Sequence, residues 1–138
     1  MQDPVMITSI WLFVIVFMFH DFEEILTVEK WADSKKHLID HPLKRIIWRF
    51  WNIDSHSFAK RDVWILFITS TVTLLKVIGF GNAWVDGLYF CFLLVVMIHN
   101  VVHILQSIVL KTYSPGLYTA VFLLLPYTSY LLISLSEV

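Results

Sequence analysis

The chain has 138 residues, of which 58% are hydrophobic, 16% aromatic and 15% charged, with a mean hydropathy of +0.73. That is too apolar for an ordinary soluble domain and too short for several domains. The net charge of -1 leaves no basic footprint for a nucleic acid, and with Cys91 as the only cysteine an intramolecular disulfide is excluded.

The expected fold is an all-α integral membrane protein, a four-transmembrane-helix bundle forming one domain over 1–138. Apolar stretches at about 5–28, 63–80, 84–110 and 115–135 each approach the roughly 20 residues of helix that cross a bilayer. Met1-Gln2-Asp3-Pro4 lacks the basic region of a signal peptide, so the first span is expected to stay in the mature protein. That span reaches its length only if His20, Glu23 and Glu24 lie inside it or at its inner end, facing protein or water. Ionisable groups at membrane depth cost roughly 2.5–3.5 kcal/mol each on insertion scales and mark function by default.

Between the first and second spans, 29–62 holds eight of the ten Lys and Arg residues. It is expected to face the cytoplasm, which places both termini and the turn at Gly79 outside and Lys111 inside; a bacterial plasma membrane is the expected location. Within this loop Pro42 suits a first helical turn. Leu43, Ile46, Ile47, Phe50 and Trp51 recur at the spacing of one helix face, while Lys44, Arg45 and Arg49 fall elsewhere. The segment reads as an amphipathic interfacial helix with Trp48 and Trp51 at headgroup level, an anchor or a lid. Lys76, in the second span, is expected to snorkel outward. Gly79-Phe80-Gly81-Asn82 and Tyr113-Ser114-Pro115-Gly116 are turn signals, and short connections make the spans antiparallel neighbours. Pro126 is expected to kink the last span.

The chemistry lies in the first and third spans. His20 stands three residues before Glu23 and four before Glu24, so both carboxylates flank the imidazole's face; Asp21 projects about a quarter-turn away. His99 and His103 are four apart, the spacing at which one helix chelates a transition metal. Asn100 stands where the H-E-x-x-H motif has its general base, which excludes the soluble zinc-protease reading unless Glu23 or Glu24 supplies the carboxylate from the neighbouring helix. Gln106 extends the polar stripe as a substrate group, and Tyr113 is placed to meet a headgroup. His20 lies fifteen residues after Val5, and His99 fifteen after Trp84. The two polar clusters therefore come level in parallel spans.

His20-x-x-Glu23-Glu24, followed by Asn100-x-x-His103 and Tyr113-Ser114-Pro115-Gly116-Leu117-Tyr118-Thr119-Ala120, resembles the HXXEE-motif family of small integral membrane proteins. The resemblance covers the first span and the second half of the chain. It implies a four-span membrane protein suspected to be an enzyme, with His20, Glu23, Glu24, Asn100 and His103 as the family's polar residues; His99 is a ligand by spacing alone.

The preferred reading is a metal-dependent membrane hydrolase acting on a lipid or other amphipathic substrate. His20, His99 and His103 with one of Glu23 or Glu24 hold a divalent metal, the other Glu is the base, and Asn100 orients a water. Without thiolate ligands, zinc fits a hydrolase and iron or manganese a lipid oxidoreductase. The partners are membrane lipids and the amphipathic substrate. One alternative is a proton- or metal-coupled transporter, which at this size calls for a homo-oligomer. Another is a haem protein with His20 and His103 as axial ligands.

Overall fold

Helix ends fall where the sequence supplies caps and breakers. In the computed structural model, which describes residues 4–136, α1 runs Pro4–Ser34. A single-turn 3-10 segment, Lys36–Asp40, leads to α2, Pro42–Trp51. The His41 imidazole accepts from the Leu43 N–H at 3.3 Å, with Pro42 in the first turn where a missing N–H costs nothing. α3, Ser55–Ile78, starts on Asp54, whose carboxylate accepts from the Ser57 N–H at 2.8 Å. α4, Ala83–Leu110, starts on Asn82, which accepts from the Trp84 N–H at 3.0 Å. It stops at Lys111, whose φ of 54° is left-handed. α5, Leu117–Ser136, follows Gly116 at φ 79°. Pro126 has no N–H to give the helix, and a π-helical turn at Ala120–Leu124 precedes it, taking up the mismatch. No strand occurs among the described residues.

α1, α4 and α5 are long and apolar enough to cross a membrane. α3 has 24 residues, but Lys60, Arg61, Asp62 and Lys76 interrupt its apolar run, so three of the four expected spans are met by length and composition. α1 packs chiefly on α3, α4 on α5, and α2 folds under one end of the bundle.

Two apolar clusters fill the interior. One joins Ile10, Phe13 and Phe17 of α1 to Tyr89, Leu93 and Val96 of α4 and Leu124 and Leu131 of α5. The other joins Val28, Trp31 and Ala32 of α1 to Ile47 and Trp51 of α2, Phe58 of α3 and Leu110 of α4. Between Phe17 and Val28 on α1, and between Val96 and Leu110 on α4, the buried side chains turn polar. His20, Asp21, Glu24, Asn100 and His103 all lie in this middle layer.

Two expectations change here. Trp51 faces the protein interior rather than its surface: it is 1% exposed, stacks on Phe58 at 5.7 Å between centroids, and gives its indole N–H to Gln106 at 3.0 Å. A large ring with one donor is stable in a core once that donor is met. Lys76 does not snorkel; it is buried, pairs with Asp86 at 2.5 Å and lies 4.1 Å over the Phe80 ring. Trp48 also turns inward, donating to the Ala32 carbonyl at 2.9 Å. Leu43, Ile46 and Phe50, on the same apolar face, stay exposed, so the amphipathic helix docks by one edge of that face only.

Candidate metal centre

The i, i+4 pair on α4 meets α1 through imidazole nitrogens. His99 Nε2 lies 3.1 Å from His20 Nε2 and 2.9 Å from His103 Nε2. Glu24 Oε1 is 3.2 Å from His103 Nε2 and 3.7 Å from His20 Nε2. The donor atoms of His20, Glu24, His99 and His103 all fall within 4.8 Å of one another.

Hydrogen bonds on the far side of two rings decide which nitrogen carries the proton. His103 Nδ1 lies 2.9 Å from the Pro115 carbonyl, which only accepts, so Nδ1 is the N–H and Nε2 keeps its lone pair. His20 Nδ1 lies 3.0 Å from Thr119 Oγ1. Thr119 gives its hydroxyl proton to Glu23 Oε2 at 2.5 Å, so it accepts from His20, and here too Nε2 is bare. Two lone pairs thus point at one spot beside His99 and Glu24. His99 can offer at most one proton between them in its neutral form. A cation among them would take up the nitrogen lone pairs, with the Glu24 oxygen beside it.

Glu23 faces away from that spot. Besides the Thr119 hydroxyl it accepts from the Tyr113 hydroxyl at 2.7 Å, the Thr119 N–H at 2.7 Å and the Tyr118 N–H at 3.2 Å. Burial holds the Tyr113 phenol above its ordinary pKa, so it stays a donor. Glu23, Thr119 and His20 form a carboxylate-to-imidazole support of the kind that orients histidines in metal sites. The turn into α5 presses on the same atoms: a Cβ on Gly116 would lie 2.8 Å from His20 Cε1 and 2.9 Å from Glu24 Cγ.

Of the remaining sequence candidates, Gln106 lines the cavity beside the centre, while Asn100 and Tyr113 lie outside that lining. Asn100 is wholly buried, on the stripe with Val96 and His103, and neither amide atom has a partner among the described residues. Gln106 is taken by Trp51, and Tyr113 by Glu23. The 4.9 Å between the His20 and His103 ring centroids leaves no slot for a porphyrin between them.

A cavity of about 430 Å³ adjoins the centre. Its polar end carries His99, His103, Glu24, Asp21, Asp62 and Arg61. Its apolar wall includes Ile65 and Ile68 of α3 and Val95 and Val102 of α4, all of which are also exposed on the outer surface. The opening is therefore sideways, between α3 and α4. Phe50 and Trp51 line it from α2.

Reading the sequence missed Thr119, Gly116, Asp62 and Arg61. Thr119 and Gly116 stood inside the quoted motif without a role. Asp62 was hidden by its neighbours, because Lys60 and Arg61 made it read as loop.

The family model described as "protein of unknown function with HXXEE motif" matches residues 11–131. No curated protein and no solved structure matches the chain.

Proposed function

We propose that this chain, which belongs to the HXXEE-motif family, is a four-span membrane enzyme that hydrolyses a lipid or other amphipathic substrate at a divalent metal. The observation that carries the reading is the convergence of three Nε2 atoms, two of them stripped of their protons by fixed Nδ1 contacts to Pro115 and, through Thr119, to Glu23.

His20, His99 and His103 would hold the ion through imidazole nitrogens, the donor type catalytic zinc sites use. Zinc is the favoured ion; iron or manganese accepts the same nitrogen and oxygen donors. A bound metal would supply a Lewis acid able to polarise a substrate oxygen and to lower the pKa of a water toward neutrality. Glu24 is the base: it lines the cavity with an oxygen beside the imidazoles, whereas Glu23 has its acceptor positions filled. Glu23 is a positioning residue for His20.

The cavity favours an amphipathic substrate. An apolar chain enters between Ile68 and Val95, and its polar linkage stops against Glu24 and His99. A conduit across the membrane fits less well, since an apolar cluster closes the bundle on each side of the polar layer. α3 completes the fourth span, with Lys76 neutralised by Asp86.

The test is a hydrolysis screen of lipid esters and phosphate esters in detergent micelles, with protein that has been stripped by chelator and then reloaded with zinc, manganese or iron. Turnover that disappears on stripping and returns with one ion supports the reading. Turnover unaffected by stripping removes the metal from the reaction.

A further inference from the structure

Next to the imidazoles lies a second set of buried acids. Asp21 of α1 is 4% exposed and Asp62 of α3 is 2% exposed. The Oδ2 atom of each has no hydrogen-bond partner among the described residues. The positive charge at hand is Arg61, whose Nε lies 3.6 Å from the other oxygen of Asp62. Its guanidinium is drawn over the Phe58 ring at 4.1 Å and lies partly in the open. A buried carboxylate oxygen without a donor is costly and rare in native structures, so both orphaned atoms call for a partner.

Donor atoms of Asp21, Asp62 and Glu24 fall within 4.8 Å of one another. Glu24 also belongs to the imidazole set, which meets the same limit. Two donor groups joined by one carboxylate have the form of a two-metal hydrolytic site, where ions about 3.5–4 Å apart act on the attacking and leaving oxygens together. The groups differ in chemistry as well. Imidazole nitrogens suit zinc or iron, while carboxylate oxygens alone suit magnesium or manganese.

We propose that Asp21, Asp62 and Glu24 hold a second divalent cation, of the oxygen-preferring class, beside the one held by His20, His99 and His103, with Glu24 shared between them. This rests on reading the histidine cluster as a metal site, but it adds residues from α3 and a second ion, and it makes Glu24 a bridging ligand in place of the base. It also accounts for the orphaned oxygens of Asp21 and Asp62, which the histidine centre alone leaves unexplained.

Manganese alone is the probe, because it binds both donor types and is paramagnetic. The full chain in detergent, stripped of metal and reloaded with excess Mn²⁺ before removal of the unbound ion, is expected to retain two manganese ions per chain with an exchange-coupled electron paramagnetic resonance signal. Asp62→Asn and Asp21→Asn, which keep side-chain size, are each expected to halve the content and leave an uncoupled signal, with helical content unchanged. One ion per chain in the wild type, lost in His103→Ala and kept in Asp62→Asn, overturns the second site while leaving the first. Two ions retained in both aspartate variants also overturns it. No bound manganese, zinc or iron in folded wild type defeats both readings together.

Discussion

Thr119 carries one hydroxyl proton, and where that proton goes sets the state of His20. Because it goes to Glu23, the hydroxyl accepts from His20 Nδ1 and Nε2 is free for a metal. Thr119→Val keeps the volume and removes the relay, so metal affinity is expected to fall by roughly 10–100-fold, as when other supports of metal-binding histidines are removed. Competition with a metal indicator measures this, and Thr119→Ser is expected to restore binding. Gly116→Ala fails for steric reasons: the added Cβ meets His20 Cε1 at 2.8 Å, and a left-handed backbone costs a non-glycine residue about 1–2 kcal/mol. Reduced metal content with retained helicity is the expected outcome. Glu24→Gln is expected to abolish turnover while the protein still folds and binds metal at the histidines; activity in that variant removes Glu24 from the base role. The neighbouring roles of Glu23 and Glu24 were not legible in the sequence. Both flank His20 at helical spacing, and what separates them is Thr119 and Tyr113, some ninety residues away.

Among the elements, α2 and the start of α3 are where local signals and packing part company. The apolar face of α2 was legible from its spacing, and Pro42 marked its first turn. Trp51 could not be told from its neighbours on that face, because its burial depends on meeting Phe58 from α3 and Gln106 from α4. Trp51→Ala is expected to cost about 3–5 kcal/mol, the range for emptying a buried aromatic site, read as a lowered thermal midpoint in detergent. The N-cap of α3 gives a pH signature. Hydrogen bonding to Ser57, through its backbone N–H first, holds the Asp54 carboxyl below its ordinary pKa. Its stabilisation is therefore present above the unfolded-state pKa and is lost as pH falls through the lowered one. Asp54→Asn keeps a capping oxygen without the titration. Its stability relative to wild type is expected to improve as pH drops into that range and to stay constant from neutral to alkaline pH. A difference that does not change on acidification contradicts this assignment.

At the scale of the whole molecule, the bundle sets a polar layer between two apolar clusters and opens it sideways. Much of that layer could be read from two patterns, His20 with its glutamates and His99 with His103, since parallel spans of similar register bring them level. What α3 contributes was not readable, because Arg61 and Asp62 follow Lys60 in a basic stretch and the burial of Asp62 depends on the packing of α3 against α1. Nor was the pairing of Lys76 with Asp86 across the turn: the short connection at Gly79 brings the two helix ends together, but spacing alone does not tell which side chains face each other. The sideways opening predicts that Ile68→Trp, which narrows the gap between α3 and α4, raises KM for long-chain substrates more than for short ones while leaving metal content unchanged. The central claim, a metal held between α1 and α4, is tested most directly by elemental analysis of protein purified in mild detergent without metal-affinity contact, comparing wild type with His103→Ala. The account predicts at least one zinc, iron or manganese ion per wild-type chain and its loss from the folded variant. Wild-type protein that is folded, never exposed to chelator and free of metal would contradict it.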